Sequence, residues 1–225
     1  MPIRKVPLIN NYYYHIFNRG VNKQPIFSNK RDYNRMLNII RYYQYGYRHS
    51  KFSTFMKLNI NFRNEIWNSI EKSQKFIDIV AFCLMPNHFH LLVMQNIDGG
   101  ISKFLAEIQN SYTKYYNLRY NRTGHLFQGQ FKSVLIQSDD QLQHVSRYIH
   151  LNPYSSGLVK SLKDLDKYEW SSLLEYSNNK NTILSTRKHL INPNTFKKCN
   201  DYLIFVHNNA DYQKRLEDIK HLTFD

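Results

Sequence analysis

Residues 76–94, FIDIVAFCLMPNHFHLLVM, hold two nearly unbroken apolar runs separated only by Pro86-Asn87. Proline followed by asparagine is turn chemistry, and each run has the length of a strand rather than of a stable helix. The segment therefore reads as a buried antiparallel hairpin, strands 76–85 and 88–94. Strand side chains alternate faces, so His88 and His90 share one face with Leu92 and Met94, while Phe89, Leu91 and Val93 fill the other. Two imidazoles side by side in an apolar strand are either a packed, hydrogen-bonded pair or two ligands for one cation. The His-x-His spacing alone does not choose.

The neighbouring segments build outward from this hairpin. NYYYHIFNRG (11–20) is aromatic and β-rich and ends in Arg-Gly, the pattern of a strand and turn. From Asp32 to Tyr45, Tyr33, Met36, Leu37, Ile40 and Tyr43 or Gln44 recur at helical spacing. Residues 48–74 are polar and irregular, an insertion with a short helical candidate around Ile66 to Ile70. Gly99-Gly100 opens a helix from about Ile101 to Tyr120, striped by Ile101, Phe104, Leu105, Ile108, Tyr112 and Tyr115 or Tyr116. After the turn NRTG, residues 125–137 read as a strand with a glycine break. Ser138 and Gln141 have capping-box spacing and start a helix that Pro153 is expected to stop. SNNKNT (177–182) looks like a linker, and the tail beyond it shows only a charged helical candidate near Asp211 to Leu222. The order strand, helix, strand, strand, helix, strand, helix predicts an α+β fold: a ferredoxin-like antiparallel sheet packed by helices.

Charge narrows the function. Thirty-one Lys and Arg against 17 Asp and Glu give a net charge of +14, and such an excess calls for an anionic partner, with nucleic acid the usual one. Eighteen tyrosines add planar faces on which unpaired bases can stack. Two cysteines, Cys83 and Cys199, with no CxxC, argue against a disulfide framework or a thiolate zinc site. The N-terminal MPIRKVPLINNYYYH lacks the apolar core of a signal peptide, and no run reaches membrane-spanning length. The expectation is a soluble cytoplasmic protein, associated with the nucleoid and not with a membrane.

On the helix DDQLQHVSRYIHLNP, Leu142, Val145 and Ile149 form the buried stripe, and His144, Tyr148 and Asn152 recur every fourth residue beside it. A phenol and an amide one turn apart fit a nucleophile next to a metal ligand. They fit equally a tyrosine packed on the sheet and an asparagine ending the helix before proline. The earlier helix interleaves Tyr112, Tyr115, Tyr116 and Tyr120 with Lys114, Arg119 and, just beyond, Arg122, a pattern for phosphate contact and stacking or for packing. His15, His144 and His150 are open as bases, as partners of a ligand, or as ordinary packing residues.

Five ordered blocks carry a family resemblance: YYHIFNRG (13–20), FCLMPNHFHLLV (82–93), NRTGHLFQGQFKS (121–133), RYIHLNP (147–153) and YEWSS (168–172). Together, over about residues 11 to 176, they resemble the single-tyrosine HUH transposases, closest to the REP-associated tyrosine transposases. The resemblance implies the ferredoxin-like HUH fold in a catalytic domain spanning 1–176, with 177–225 a linker and tail of unassigned role. It implies metal-dependent cleavage and rejoining of single-stranded or hairpin DNA by a monomer or homodimer. Carried over residue by residue, His88 and His90 match the metal-binding motif, Tyr148 the nucleophile, and Asn152 the polar third ligand, with Mg²⁺ or Mn²⁺ as the ion. By softness, imidazole ligands favour manganese or zinc over magnesium. Gln130 stands where relatives often carry a basic residue, and Tyr154-Ser155-Ser156 replaces a stretch that usually carries arginine. Arg19, Lys23 and Lys132, at turns beside the expected site, join Lys114, Arg119 and Arg122 as expected DNA-binding cations. Two alternatives share this composition: a domesticated single-stranded nucleic-acid-binding protein without catalysis, and a hydrolytic nuclease.

Overall fold

The computed structural model describes residues 7–46, 50–177 and 184–215. Four strands, β1 (Tyr13–Arg19), β2 (Ile77–Met85), β3 (His88–Gln95) and β4 (Lys132–Ile136), form one sheet in the order β2-β3-β1-β4. All three pairings are antiparallel. Helices follow in chain order: α1 (Lys30–Tyr43), α2 (Phe52–Phe55), α3 (Ile60–Glu71), α4 (Gly100–Arg119), α5 (Asp139–Ser155), α6 (Leu162–Leu165), α7 (Leu173–Ser177) and α8 (Cys199–His207). With α1 crossing from β1 to β2 and α4 from β3 to β4, the arrangement is the ferredoxin-like α+β fold expected from the order of elements.

The β2–β3 hairpin is buried on both faces, which is why it is apolar at almost every position. On one face Ile16, Leu84, Phe89, Leu91 and Val93 meet Met36 and Ile40 of α1 and Phe104, Leu105 and Ile108 of α4. On the other, Ala81, Cys83, Leu92 and Ile136 meet Leu142 and Ile149 of α5, Leu173 and Tyr176 of α7, and Tyr202 and Val206 of α8. Local signals set the helix starts: Asn29 accepts from the Arg31 and Asp32 amides at 3.1 and 3.3 Å, and Ser138 Oγ accepts from the Gln141 amide at 3.1 Å.

Several boundaries differ from the sequence reading. The insertion holds a 12-residue helix, α3, rather than a single short turn. Its Ile66 and Ile70 are buried, while Ile60 and Phe62 face solvent and blur the stripe. The strand read over 125–137 shrinks to β4, because Gly129 takes φ +65° and turns the chain off the ladder after the bridge between Gly20 and Phe127. Pro153 does not stop α5, which runs two residues further to Ser155. A proline in the last turn forfeits one hydrogen bond to Ile149 but needs no further kink, and the turn closes with Ser156 N donating to Asn152 O at 3.0 Å.

Beyond residue 184 the tail packs. Leu190, Tyr202, Val206 and Ala210 are buried in the second core, and Thr186 N donates to Ile79 O at 2.6 Å along the outer edge of β2. His189 joins this segment to the sheet, with Nε2 2.9 Å from Asp78 Oδ2 and Nδ1 2.9 Å from the Tyr13 hydroxyl. The linker read at 177–182 lies, after its first residue, outside the described residues. So does the helical candidate near Asp211 to Leu222 beyond 215, and residues 211–215 are helical. Among the described residues no helix is long and apolar enough to cross a membrane.

Candidate active site

Register decides what meets on the second face of the sheet. Arg19 lies opposite His88, Phe17 opposite His90 and His15 opposite Leu92 on the β1–β3 ladder. Across β1, Phe17 faces Lys132 and His15 faces Val134 of β4. Paired residues project to the same side, so three imidazoles and two cations converge there with no contribution from a loop. Helix α5 crosses this face and brings Tyr148 over the pair. Its ring lies 5.7 Å from the His90 ring and 6.0 Å from that of His15, both edge-on. His88 and His90 are 4.9 Å apart and perpendicular.

His88, His90 and Tyr148 line one cleft of about 460 Å³, together with Phe17, Asn18, Arg19, Lys23, Asn87, Gln128, Gln130 and Lys132. Lys23 reaches it from the tight turn Val21–Lys23, where Asn22 and Lys23 both take positive φ, and Asn87 Nδ2 holds that turn by donating to Lys23 O at 3.2 Å. Arg19 Nε donates to Gln128 Oε1 at 2.5 Å, which ties the cation to the cleft wall.

The imidazoles are held in defined roles. The Nδ1 of His88 lies 2.6 Å from Asn87 Oδ1, and that oxygen can only accept, so the nitrogen carries the proton and Nε2 the lone pair. The Nδ1 of His90 lies 2.9 Å from His15 Nε2. Burial pushes His15 down to about 4, and burial with His88 and His15 alongside pushes His90 well below the usual histidine range. Both are therefore neutral at pH 7, the form in which imidazole ligates a metal.

Asn152 sits one turn beyond Tyr148 on α5, 7% exposed and outside the cleft lining. Its amide oxygen is a hard donor of the kind a divalent ion accepts. No group of three or more His, Cys, Asp and Glu residues suited to a metal occurs among the described residues. A cation here would rest on two imidazoles, an amide, and water or phosphate oxygens. That donor set fits a weakly held, exchangeable divalent ion with open positions.

Of the expected DNA-binding cations, the structure brings Arg19, Lys23 and Lys132 to the cleft, and none of Lys114, Arg119 and Arg122 lines it. Helix α4 packs on the other face of the sheet. There Arg119 Nε lies 3.6 Å from Asp32, a fully buried carboxylate that also accepts from the Tyr115 and Tyr120 hydroxyls at 2.9 and 2.7 Å. The Arg122 guanidinium stacks 5.6 Å from the Tyr116 ring, and Lys114 is exposed. Tyr112 is buried, its hydroxyl bonded to Ile26 O.

Sequence reasoning read Asn87 only as a turn residue; its position next to His88 was the available signal. His150, left open as a base or partner, is fully buried between the Tyr202 hydroxyl and Ser172 Oγ, each at 2.7 Å. His144 is exposed beside Asp140 and Arg147. The tail also reaches the site's helix, as Gln213 Nε2 donates to Tyr148 O at 3.1 Å.

A family model described as transposase, IS200-like, matches residues 47–152, a stretch that includes His88, His90, Tyr148 and Asn152. A REP-associated tyrosine transposase of Haemophilus influenzae is 28% identical over 97 residues, 39% of this chain and 55% of that protein, so the match spans about half the length of the curated relative. The solved structure of a REP-associated tyrosine transposase bound to a REP hairpin superposes with a TM-score of 0.53 at 15% identity, covering 83% of this chain and 92% of that one. At that identity the likeness shows a shared fold. The ordered sequence blocks, the matched family model and the shared fold make the chain similar to the IS200-like transposases and to REP-associated tyrosine transposases among them.

Proposed function

We propose that this protein is a metal-dependent single-stranded DNA endonuclease and strand transferase that acts on hairpin-containing DNA through Tyr148. The observation that carries the reading is the Tyr148 ring standing 5.7 Å from that of His90, in a cleft that Arg19, Lys23 and Lys132 also line. In the reaction, Tyr148 Oη attacks the scissile phosphorus as its proton is lost. The bond to the 3′ oxygen breaks, that oxygen takes up a proton, and a 5′-phosphotyrosine and a 3′-hydroxyl result. One phosphodiester is exchanged for another, so the reverse attack by a 3′-hydroxyl reseals DNA without an external energy source. Arg19, Lys23 and Lys132 bind and orient the phosphates in the cleft. A divalent ion, Mn²⁺ or Mg²⁺, held by His88 and His90 with Asn152 as the third donor, would polarise the phosphate and offset its charge.

The test is a denaturing gel of protein, Mn²⁺ and an end-labelled hairpin oligonucleotide. A covalent protein–DNA band that vanishes in Tyr148→Phe and in His88→Ala is the expected result. Nicking that survives Tyr148→Phe would replace this reading with a hydrolytic nuclease. Binding with no cleavage by the parent protein would leave a nucleic-acid-binding module.

A further inference from the structure

We propose that His15 is a positioning residue for the cation site: it fixes the tautomer of His90 by accepting a hydrogen bond from His90 Nδ1. This rests on the metal-dependent reading of the cleft. His15 sits diagonally from His90 across the β1–β3 ladder, because His90 faces Phe17 and His15 faces Leu92. Diagonal neighbours lie within reach of long or aromatic side chains. The two rings stack at 24° with centroids 5.1 Å apart, and His15 Nε2 is 2.9 Å from His90 Nδ1.

One proton's direction decides what His90 can do. If His15 Nε2 accepts, the proton rests on His90 Nδ1 and the lone pair on its Nε2. That matches His88, whose Nδ1 donates to Asn87 Oδ1 at 2.6 Å. Both histidines then offer the same nitrogen to a single ion. If His15 Nε2 donates instead, the proton of His90 moves to Nε2, and an N–H occupies the position from which a ligand must act. A partner on the second ring nitrogen is what commonly orients metal-bound histidine and raises its basicity.

The partner's chemistry also suits the substrate. Such partners are often carboxylates. A carboxylate at position 15 would set a negative charge beside a cleft lined by Arg19, Lys23 and Lys132, where it would oppose a phosphate. An imidazole accepts the hydrogen bond without that charge.

The experiment titrates the DNA-free protein with Mn²⁺ by calorimetry, with circular dichroism melts to confirm that each variant is folded. His15→Phe keeps the stacked ring and removes the acceptor, and it is expected to lose about 10–100-fold in Mn²⁺ affinity. His15→Gln returns an acceptor at the reach of Nε2 and is expected to recover to within a few-fold of the parent. Parental affinity in His15→Phe overturns the assignment. So does His15→Gln binding as weakly as His15→Phe, since the imidazole itself would then be what the ion needs. His88→Ala separates the two levels of the argument. If it binds Mn²⁺ undiminished, or if the parent binds none, the metal reading fails and the role of His15 falls with it. If His88→Ala loses Mn²⁺ while His15→Phe does not, only the role of His15 is lost.

Discussion

Lys132→Ala should change how DNA binding responds to salt, and by an amount that can be worked out in advance. Lys132 heads β4 directly opposite Phe17, and Arg19 lies opposite His88 on the same face, with Lys23 on the adjoining turn. Each phosphate neutralised by a cation adds about 0.7 (single strand) to 0.9 (duplex) to the slope of log affinity against log salt. The three cleft cations together thus account for a slope of about 2 to 3, and one alanine substitution should remove roughly 0.7–0.9. Between about 50 and 200 mM salt, the parent should then lose roughly threefold more affinity than the variant. Fluorescence anisotropy of a labelled hairpin oligonucleotide, titrated in EDTA so that only direct contacts count, reads this slope. Lys114→Ala is the contrast, because α4 packs on the other face of the sheet and Lys114 is exposed there. Its slope should match the parent's. If Lys114→Ala flattens the salt dependence and Lys132→Ala does not, DNA runs over the α1–α4 face, and the cleft is not where phosphate binds.

The fold supplies further expectations. Tyr202→Phe removes the hydroxyl that bonds His150 Nδ1 at 2.7 Å and Ser146 Oγ at 3.0 Å, all three residues being fully buried. Leaving the His150 nitrogen unpaired, while Ser146 Oγ keeps its bond to Gln143 O at 2.7 Å, should cost about 1–3 kcal/mol, or roughly 2–12 °C of Tm for a chain of this size; an unchanged melt would mean that α8 is not docked on α5. Burial pushes His150 from 6.5 down to about 3, so the unfolded chain takes up its proton first as pH falls. The stability this residue supports is full above pH 6.5 and declines toward pH 3. In urea melts, His150→Gln should lessen the loss between about pH 7 and 4.5 by roughly 2–3 kcal/mol. Gly20→Ala should destabilise the turn that carries Lys23, because a Cβ there would collide with the Gln24 carbonyl oxygen and the Ile26 side chain. An overpacking cost of about 1–3 kcal/mol, with weaker DNA binding, is expected in a urea melt and an anisotropy titration.

What could be read from sequence followed the range over which each signal acts. The β2–β3 hairpin and the shared face of His88 and His90 depend on alternation within a few residues, and they were legible. So was the stripe of α1, and so was the capping signal at Ser138. The approach of Tyr148 to that pair was not, because periodicity gives a helix its apolar stripe but not the sheet face on which it lands. Only the resemblance of ordered blocks bridged that gap. The contact between His15 and His90 depends on the register of two strands 75 residues apart in sequence, which no local pattern encodes. The division of the six expected cations was hidden for the same reason, since α4 and the cleft lie on opposite faces. The tail was illegible because α8 spans nine residues and exposes Ile204 while burying Tyr202 and Val206. Its apolar residues do not trace one stripe.

In β1, the two-residue rhythm that buries Tyr14 and Ile16 in the first core also turns His15, Phe17 and Arg19 toward the cleft. Adding or deleting one residue within that strand would swap the two sets, driving an arginine into the hydrophobic layer and an aromatic and an aliphatic side chain out of it. Such a chain would misfold rather than persist as an intact but inactive protein. Length changes in this lineage should therefore collect in the connecting turns, and β1 should vary by substitution alone.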